Sequence, residues 1–152
     1  MDALSLTIVI PGPPSPQPRP RFSRKIGRAY TKDNGIVAFR GSIVIRATIE
    51  ARQTGWERQT GPMGLVVRFA IPRPASHFRA DGSVRPSAAL FPPRRAGDWD
   101  NLAKGVCDAL TDSGVIWVDD DQVVDAHIVR RYAWPGEKAS TTVTVRGAAD
   151  GI

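Results

Sequence analysis

Gly97-Asp98-Trp99-Asp100-Asn101-Leu102-Ala103-Lys104-Gly105-Val106-Cys107-Asp108-Ala109-Leu110-Thr111-Asp112-Ser113-Gly114 is followed by Val115-Ile116-Trp117-Val118-Asp119-Asp120-Asp121-Gln122-Val123-Val124-Asp125. Leu102, Val106, Ala109 and Leu110 fall at steps of 0, 4, 7 and 8, the spacing of one helix face. Asp100 is placed to cap that helix and Ser113-Gly114 to end it. Val115 to Val118 then reads as a strand, Asp119 to Gln122 as an interruption, and Val123 to Tyr132 as a further strand. The segment holds eight of the chain's fifteen acids and one base, Lys104, so it is formally −7 in a chain of +6 and the rest carries +13. A compact acidic centre in a basic frame suits a protein that holds a divalent cation against a polyanion.

Upstream, residues 4–10 alternate and then run apolar and β-branched, which predicts a first strand stopped by Pro11. The proline-rich run 11–20 cannot be helical. It opens a basic arm over 11–32, where Arg19, Arg21, Arg24, Lys25, Arg28 and Lys32 are interleaved with Phe22 and Tyr30, a pattern suited to phosphate contact with base or sugar stacking. Asp33 or Asn34 is placed to cap a helix reaching about Arg52, with a stripe through Val37, Gly41, Val44, Thr48 and Ala51 and with Ile36, Ile43 and Ala47 beside it. Residues 64–71 predict another strand, ended by Pro72 and Pro74. Residues 72–97 are rich in proline and arginine, Arg94 and Arg95 among them, and have no usable periodicity. A loop of this length inside a compact domain is usually functional or disordered, and here it is expected to be a flexible basic flap that orders on substrate. Trp134 to Lys138 reads as a turn and Ser140 to Arg146 as a last strand. The succession predicts one α+β domain over 1–152, with a mixed sheet of about four to five strands and two main helices packed on one face.

A length of 152 residues is enough for one domain with its own core. A basic balance favours nucleic acid over membrane as partner, because cationic side chains release counterions condensed on phosphates. The single cysteine, Cys107, cannot form an internal disulfide, so a reducing, cytoplasmic setting is expected. No apolar run approaches the ~20 residues of a membrane span, and a soluble, unexported chain is expected. His77 and His127 stand fifty residues apart without a cysteine pair, which argues against zinc. Counting a calcium loop from Asp98 places Leu102 and Ala103 where an oxygen ligand and a glycine are required.

The chemistry open to the acids follows from their spacing. Asp98 and Asp100 are two apart and share a side in extended backbone. Two carboxylates about 5 Å apart repel by roughly 3 kcal/mol at an effective dielectric near 20, a conflict that magnesium removes. Lys104, one helical turn past Asp100, is placed to meet a phosphate or orient attacking water. A third carboxylate must come from Asp119 to Asp121, one side of the triplet supplying it. Taken singly, each acid also reads as a cap, a turn residue or solvated surface.

Asp98-Trp99-Asp100-Asn101-Leu102 with Lys104, then Asp108-Ala109-Leu110, then Gly114 to Trp117 leading into Asp119-Asp120 and Gln122-Val123-Val124, resembles the RusA family of Holliday-junction resolvases. The resemblance implies a homodimeric, magnesium-dependent endonuclease, manganese serving in its place, that nicks paired strands of four-way DNA junctions in recombination and repair. By position it implies Asp98, Asp100 and Asp120 as metal-binding acids, Asp119 as a secondary candidate, and Lys104 as catalytic. Gly97 stands where family members usually carry proline, and Trp99 where they carry a branched apolar residue, so a looser backbone entry to the first acid is expected. The alternative from another class is a non-catalytic, structure-selective DNA-binding protein that keeps these acids for capping and solubility.

Overall fold

Leu6, Ile8 and Ile10 point one way from the first strand, β1 (Ser5–Pro11), and are buried, while Ser5, Thr7 and Val9 face solvent. The same alternation recurs through a computed structural model that describes residues 4–18, 21–30 and 33–148. Leu65, Val67, Phe69 and Ile71 line the inner face of the strand Met63–Ile71, and Val143 and Val145 that of the strand Ser140–Gly147. Numbering the strands in chain order, with β2 (Arg21–Ser23), β3 (Arg28–Tyr30), β4 (Met63–Ile71), β5 (Val123–Tyr132) and β6 (Ser140–Gly147), the main sheet runs β1-β6-β4-β5. β6 is antiparallel to both β1 and β4, whereas β5 is parallel to β4. A parallel pair needs a crossover, and the chain supplies it in the long segment 72–122 with its helix.

Two helices, α1 (Ile36–Thr54) and α2 (Trp99–Ser113), pack on each other and on one sheet face. Leu102, Val106, Ala109 and Leu110 of α2 are fully buried, the stripe their spacing predicts. The opposite sheet face carries polar pairs, Thr7 with Thr144 and Arg146 with Asp125. The expected fold, a single α+β domain with a mixed sheet and two helices on one face, is the one found.

Several local expectations are corrected. α1 begins at Ile36 with Gly35 at the cap position, while the Asp33 carboxylate accepts from the Gly35 N–H at 2.9 Å and Asn34 donates to the Pro16 carbonyl. Its buried stripe is Ile36, Phe39, Ile43, Ala47 and Ala51, and Val37 faces out. α2 has Asp98 rather than Asp100 at its cap position, and Asp98 makes no side-chain cap bond. Residues 115–118 form no strand. Ile116 and Trp117 are buried in a tight turn held by the Trp117 indole on the Thr111 hydroxyl, the Trp56 indole on the Ile116 carbonyl, and one isolated bridge from Gln59 to Trp117. Burial of two large side chains dictates that path, and the apolar run looks like a strand only because strands are also buried. The basic arm contains the β2–β3 hairpin. The segment 72–97 has turns of its own: short 3-10 turns at Ala75–His77 and Arg94–Ala96, a bridge from Phe78 to Val84, and a hydrogen bond from the Arg85 N–H to the His77 carbonyl.

Candidate active site

The loop after β4 ends against β5 before it enters α2. Arg130, on β5, donates from Nε to the Gly97 carbonyl at 2.6 Å and from a guanidinium NH2 to the Pro93 carbonyl at 2.5 Å. One side chain therefore ties both ends of the turn that delivers Asp98. Gly97 is buried with φ +102°, and a Cβ there would stand 2.8 Å from Pro16 Cβ and 2.9 Å from Leu102 Cδ2. The glycine does not loosen the entry to the first acid. It lets the proline-rich arm and the helix close on the same point. From the other side Asn101 clasps the arm, its Oδ1 accepting from the Gln17 N–H at 2.7 Å and its Nδ2 donating to the Gln17 carbonyl at 3.1 Å.

Asp98 stands between two clefts. One, of about 560 Å³, is lined by arm residues Pro16, Gln17 and Pro18 with Asp33, Asn34, Arg94, Arg95, Gly97 and Asn101. The other, of about 520 Å³, is lined by Phe91, Pro92, Arg94, Asp98, Trp99, Asp100 and Arg130. Both expected first acids therefore border one cavity, at the helix end whose macrodipole favours negative charge. Arg94 approaches Asp98 with Nε at 3.7 Å, an exposed pair that contributes little to stability.

Lys104 pairs with Asp108 at 3.2 Å, which, with its charge, raises the lysine above its ordinary value. At ~1.5 Å per residue, Lys104 and Asp108 lie about 9 and 15 Å along α2 from Asp98. Asp120 belongs to that second group. It starts a short 3-10 turn, Asp120–Gln122, and its N–H donates to the Asp119 carboxylate at 2.7 Å. Its carboxyl is raised from the usual value, first by burial, then by Asp119 and Asp108 against a lowering from Lys104. Gln122 completes a capping box with Asp119 and donates to the carbonyls of Gln59 and Gly61, fixing the turn to the chain before β4. Among the described residues no group of three or more histidines, cysteines or acids is close enough to hold a metal ion. Asp98 and Asp100 border one cleft, although α2 begins between them and they do not share a side of extended backbone as their spacing predicts; Lys104, Asp108 and Asp120 act on one another electrostatically. Cys107 packs beside the second group, its thiol pushed up to about 12 chiefly by burial.

Of the basic residues expected at the DNA, Arg94 and Arg95 line the arm cleft, and Arg24, Lys25 and Arg28 are exposed on the hairpin. Arg19 and Lys32 lie outside the described residues, as does the side chain of Arg21. Sequence reading missed Arg130 as an anchor, because a cation in a strand looks like surface, and missed the exposed ring of Trp99 as part of the cleft.

A family model described as endodeoxyribonuclease RusA matches residues 11–146. The chain belongs to the RusA family. Crossover junction endodeoxyribonuclease RusA of Escherichia coli (strain K12) is 45% identical over 57 residues, 38% of this chain and 47% of that protein. The protein of the same name from Enterobacteria phage 82 matches at 45% over the same length and shares. The chain thus spans about half the length of these relatives. RusA family nucleases are in general dependent on a divalent metal. Asp98 and Asp100, both on one open cleft, are hard oxygen donors of the kind that suit a divalent cation. No described helix is long and apolar enough to cross a membrane.

Proposed function

We propose that this RusA family chain is a magnesium-dependent endonuclease that resolves four-way DNA junctions by paired nicks in recombination and repair, manganese serving in magnesium's place. The observation that carries the reading is the placement of Asp98 and Asp100 on one cleft at the start of α2, beside Arg94 and Arg130, inside the segment matched to the family. Asp98 and Asp100 would hold the ion, which when bound lowers the pKa of water and stabilises charge on a phosphoryl oxygen. The chain's own groups do the rest. Arg94 and Arg95 meet phosphates at the cleft, and Arg24, Lys25 and Arg28 take the flanking arm. Arg19, Arg21 and Lys32 belong to the same basic run. Lys104 adds positive charge for the strand as it passes along α2. Asp120, with Asp119 as the secondary candidate, is the third metal-binding acid that the family resemblance implies, and it stands on the turn after α2, crowded by Asp119 and Asp108. Two opposed strands require two centres, so the working form is a homodimer, and the lone cysteine suits a reducing cytoplasm.

The test is a gel assay with a synthetic four-way junction and a matching duplex, with and without magnesium. Wild type should nick the junction only with metal, and Asp100→Asn should lose nicking while binding the junction within a few-fold of wild type. Junction binding without metal-dependent nicking would instead support a structure-selective binding protein.

A further inference from the structure

The cleft that holds Asp98 and Asp100 also carries two aromatic rings. Trp99 is 60% exposed and Phe91 71% exposed, and both line it with Arg94 and Arg130. Two of the chain's other three indoles, Trp56 and Trp117, are buried and donate to Ile116 and Thr111. Trp99 has no such part in folding: α2 buries its opposite face through Leu102, Val106, Ala109 and Leu110. Phe91 stands two residues before Pro93, whose carbonyl Arg130 holds, so its ring is presented from an anchored turn.

Resting on the junction reading above, we propose that Trp99 and Phe91 form a stacking subsite for one unstacked nucleobase of the branch point, seated beside the Asp98–Asp100 carboxylates. Carboxylates at the cleft repel a phosphate that lacks a bridging cation, so what meets the rings is the flat, uncharged base, while the exposed Arg94 faces the backbone that carries it. Every base has a face that stacks on an aromatic ring, and unstacking costs least where the helix is already interrupted. The rings therefore favour a branch point over continuous duplex, through a base contact separate from the metal site.

The experiment is equilibrium binding of the full chain in EDTA to a set of four-way junctions, each with one abasic residue at a different branch-point position, and to intact duplex. Trp99→Ala should weaken junction binding by roughly 5- to 100-fold, the range for loss of one stacked base, with Trp99→Phe recovering most of it and duplex binding little changed. An abasic residue at one branch position should weaken wild type by a similar factor yet scarcely affect Trp99→Ala, the coupling expected of two groups in contact. Phe91→Ala should show the same pattern more weakly. Independent, multiplying losses would overturn the subsite, as would equal losses on junction and duplex. So would an effect of Trp99→Ala confined to self-association in sedimentation, which would make the rings a contact between copies. Failure of the nuclease reading appears elsewhere, as a lack of nicking by wild type in magnesium.

Discussion

Replacing Gly97 by alanine attacks the point where arm, loop and helix meet. At φ +102° any residue with a side chain is strained, by about 1–3 kcal/mol. The new Cβ would also press on Pro16 Cβ at 2.8 Å and on Leu102 Cδ2 and Cγ at 2.9 Å, and overpacking of this kind costs typically ~1–3 kcal/mol. Leu102 is fully buried and cannot yield, so relief must come from the arm at Pro16. Together the cost is on the order of 3 kcal/mol, which for a domain of this size corresponds to a fall in Tm of roughly 6–12 °C. Gly114→Ala is the control. It shares a positive φ, +68°, but a Cβ there meets nothing within 4 Å, so it should cost only the ~1–2 kcal/mol of left-handed backbone. Urea unfolding and thermal melts of the two variants measure the difference. If Gly97→Ala melts within about 2 °C of wild type, or no lower than Gly114→Ala, the close packing at the entry to Asp98 is wrong.

Arg130→Met keeps much of the side-chain volume but leaves the Pro93 and Gly97 carbonyls without their donor. Hydrogen bonds from a charged group contribute ~1.5–3 kcal/mol, so urea unfolding should register a loss of about 2–4 kcal/mol, with faster protease cutting in 72–97 and slower nicking. Equal stability and an unchanged digest would show that the clamp is ornamental. Glu137 is held at about 2, well below its ordinary 4.5, by hydrogen bonds from Arg131 and the Trp134 N–H. Its contribution to stability is therefore complete above pH 4.5 and lost as pH falls toward 2. The Tm gap between wild type and Glu137→Gln should be largest at pH 6, shrink below pH 4.5 and close only near pH 2; a gap that widens with acid reverses the sign and refutes the pairing. Cys107, at about 12 and mostly buried, should react with iodoacetamide at pH 8 only in denaturant, and rapid native labelling would contradict its packing.

Much of this architecture is legible in the chain. Period-two burial in β1 and period-3.6 burial in α2 are read directly, because each element hides one face and the pattern must repeat with its geometry. The residues that failed to declare themselves are those whose role is set by distant partners. Val115 to Val118 mimics a strand, yet two side-chain indole bonds and the burial of Trp117 fold it into a turn. Asp100 has the chemistry of a cap, but the helix starts earlier because Gly97 turns the chain at Asp98. Arg130 is written as one more base of a basic protein, and only its two carbonyl contacts reveal an anchor. At the site, a spacing of two puts Asp98 and Asp100 on one side only in extended backbone, whereas α2 begins between them at Trp99, so their common cleft depends on how the loop before the helix meets it, and the group of Lys104, Asp108 and Asp120 depends on how the turn after α2 returns to the helix. Spacing along the sequence carries no information about that distance.

On the proposed function, Asp98 and Asp100 together hold a divalent ion. Titrating the full chain with manganese, with free ion read by electron paramagnetic resonance, measures this without substrate. Wild type should bind manganese in competition with magnesium, and Asp98→Asn and Asp100→Asn should each weaken that binding at least ten-fold while melting normally. Undiminished binding in both folded variants would place the ion elsewhere and contradict the assignment.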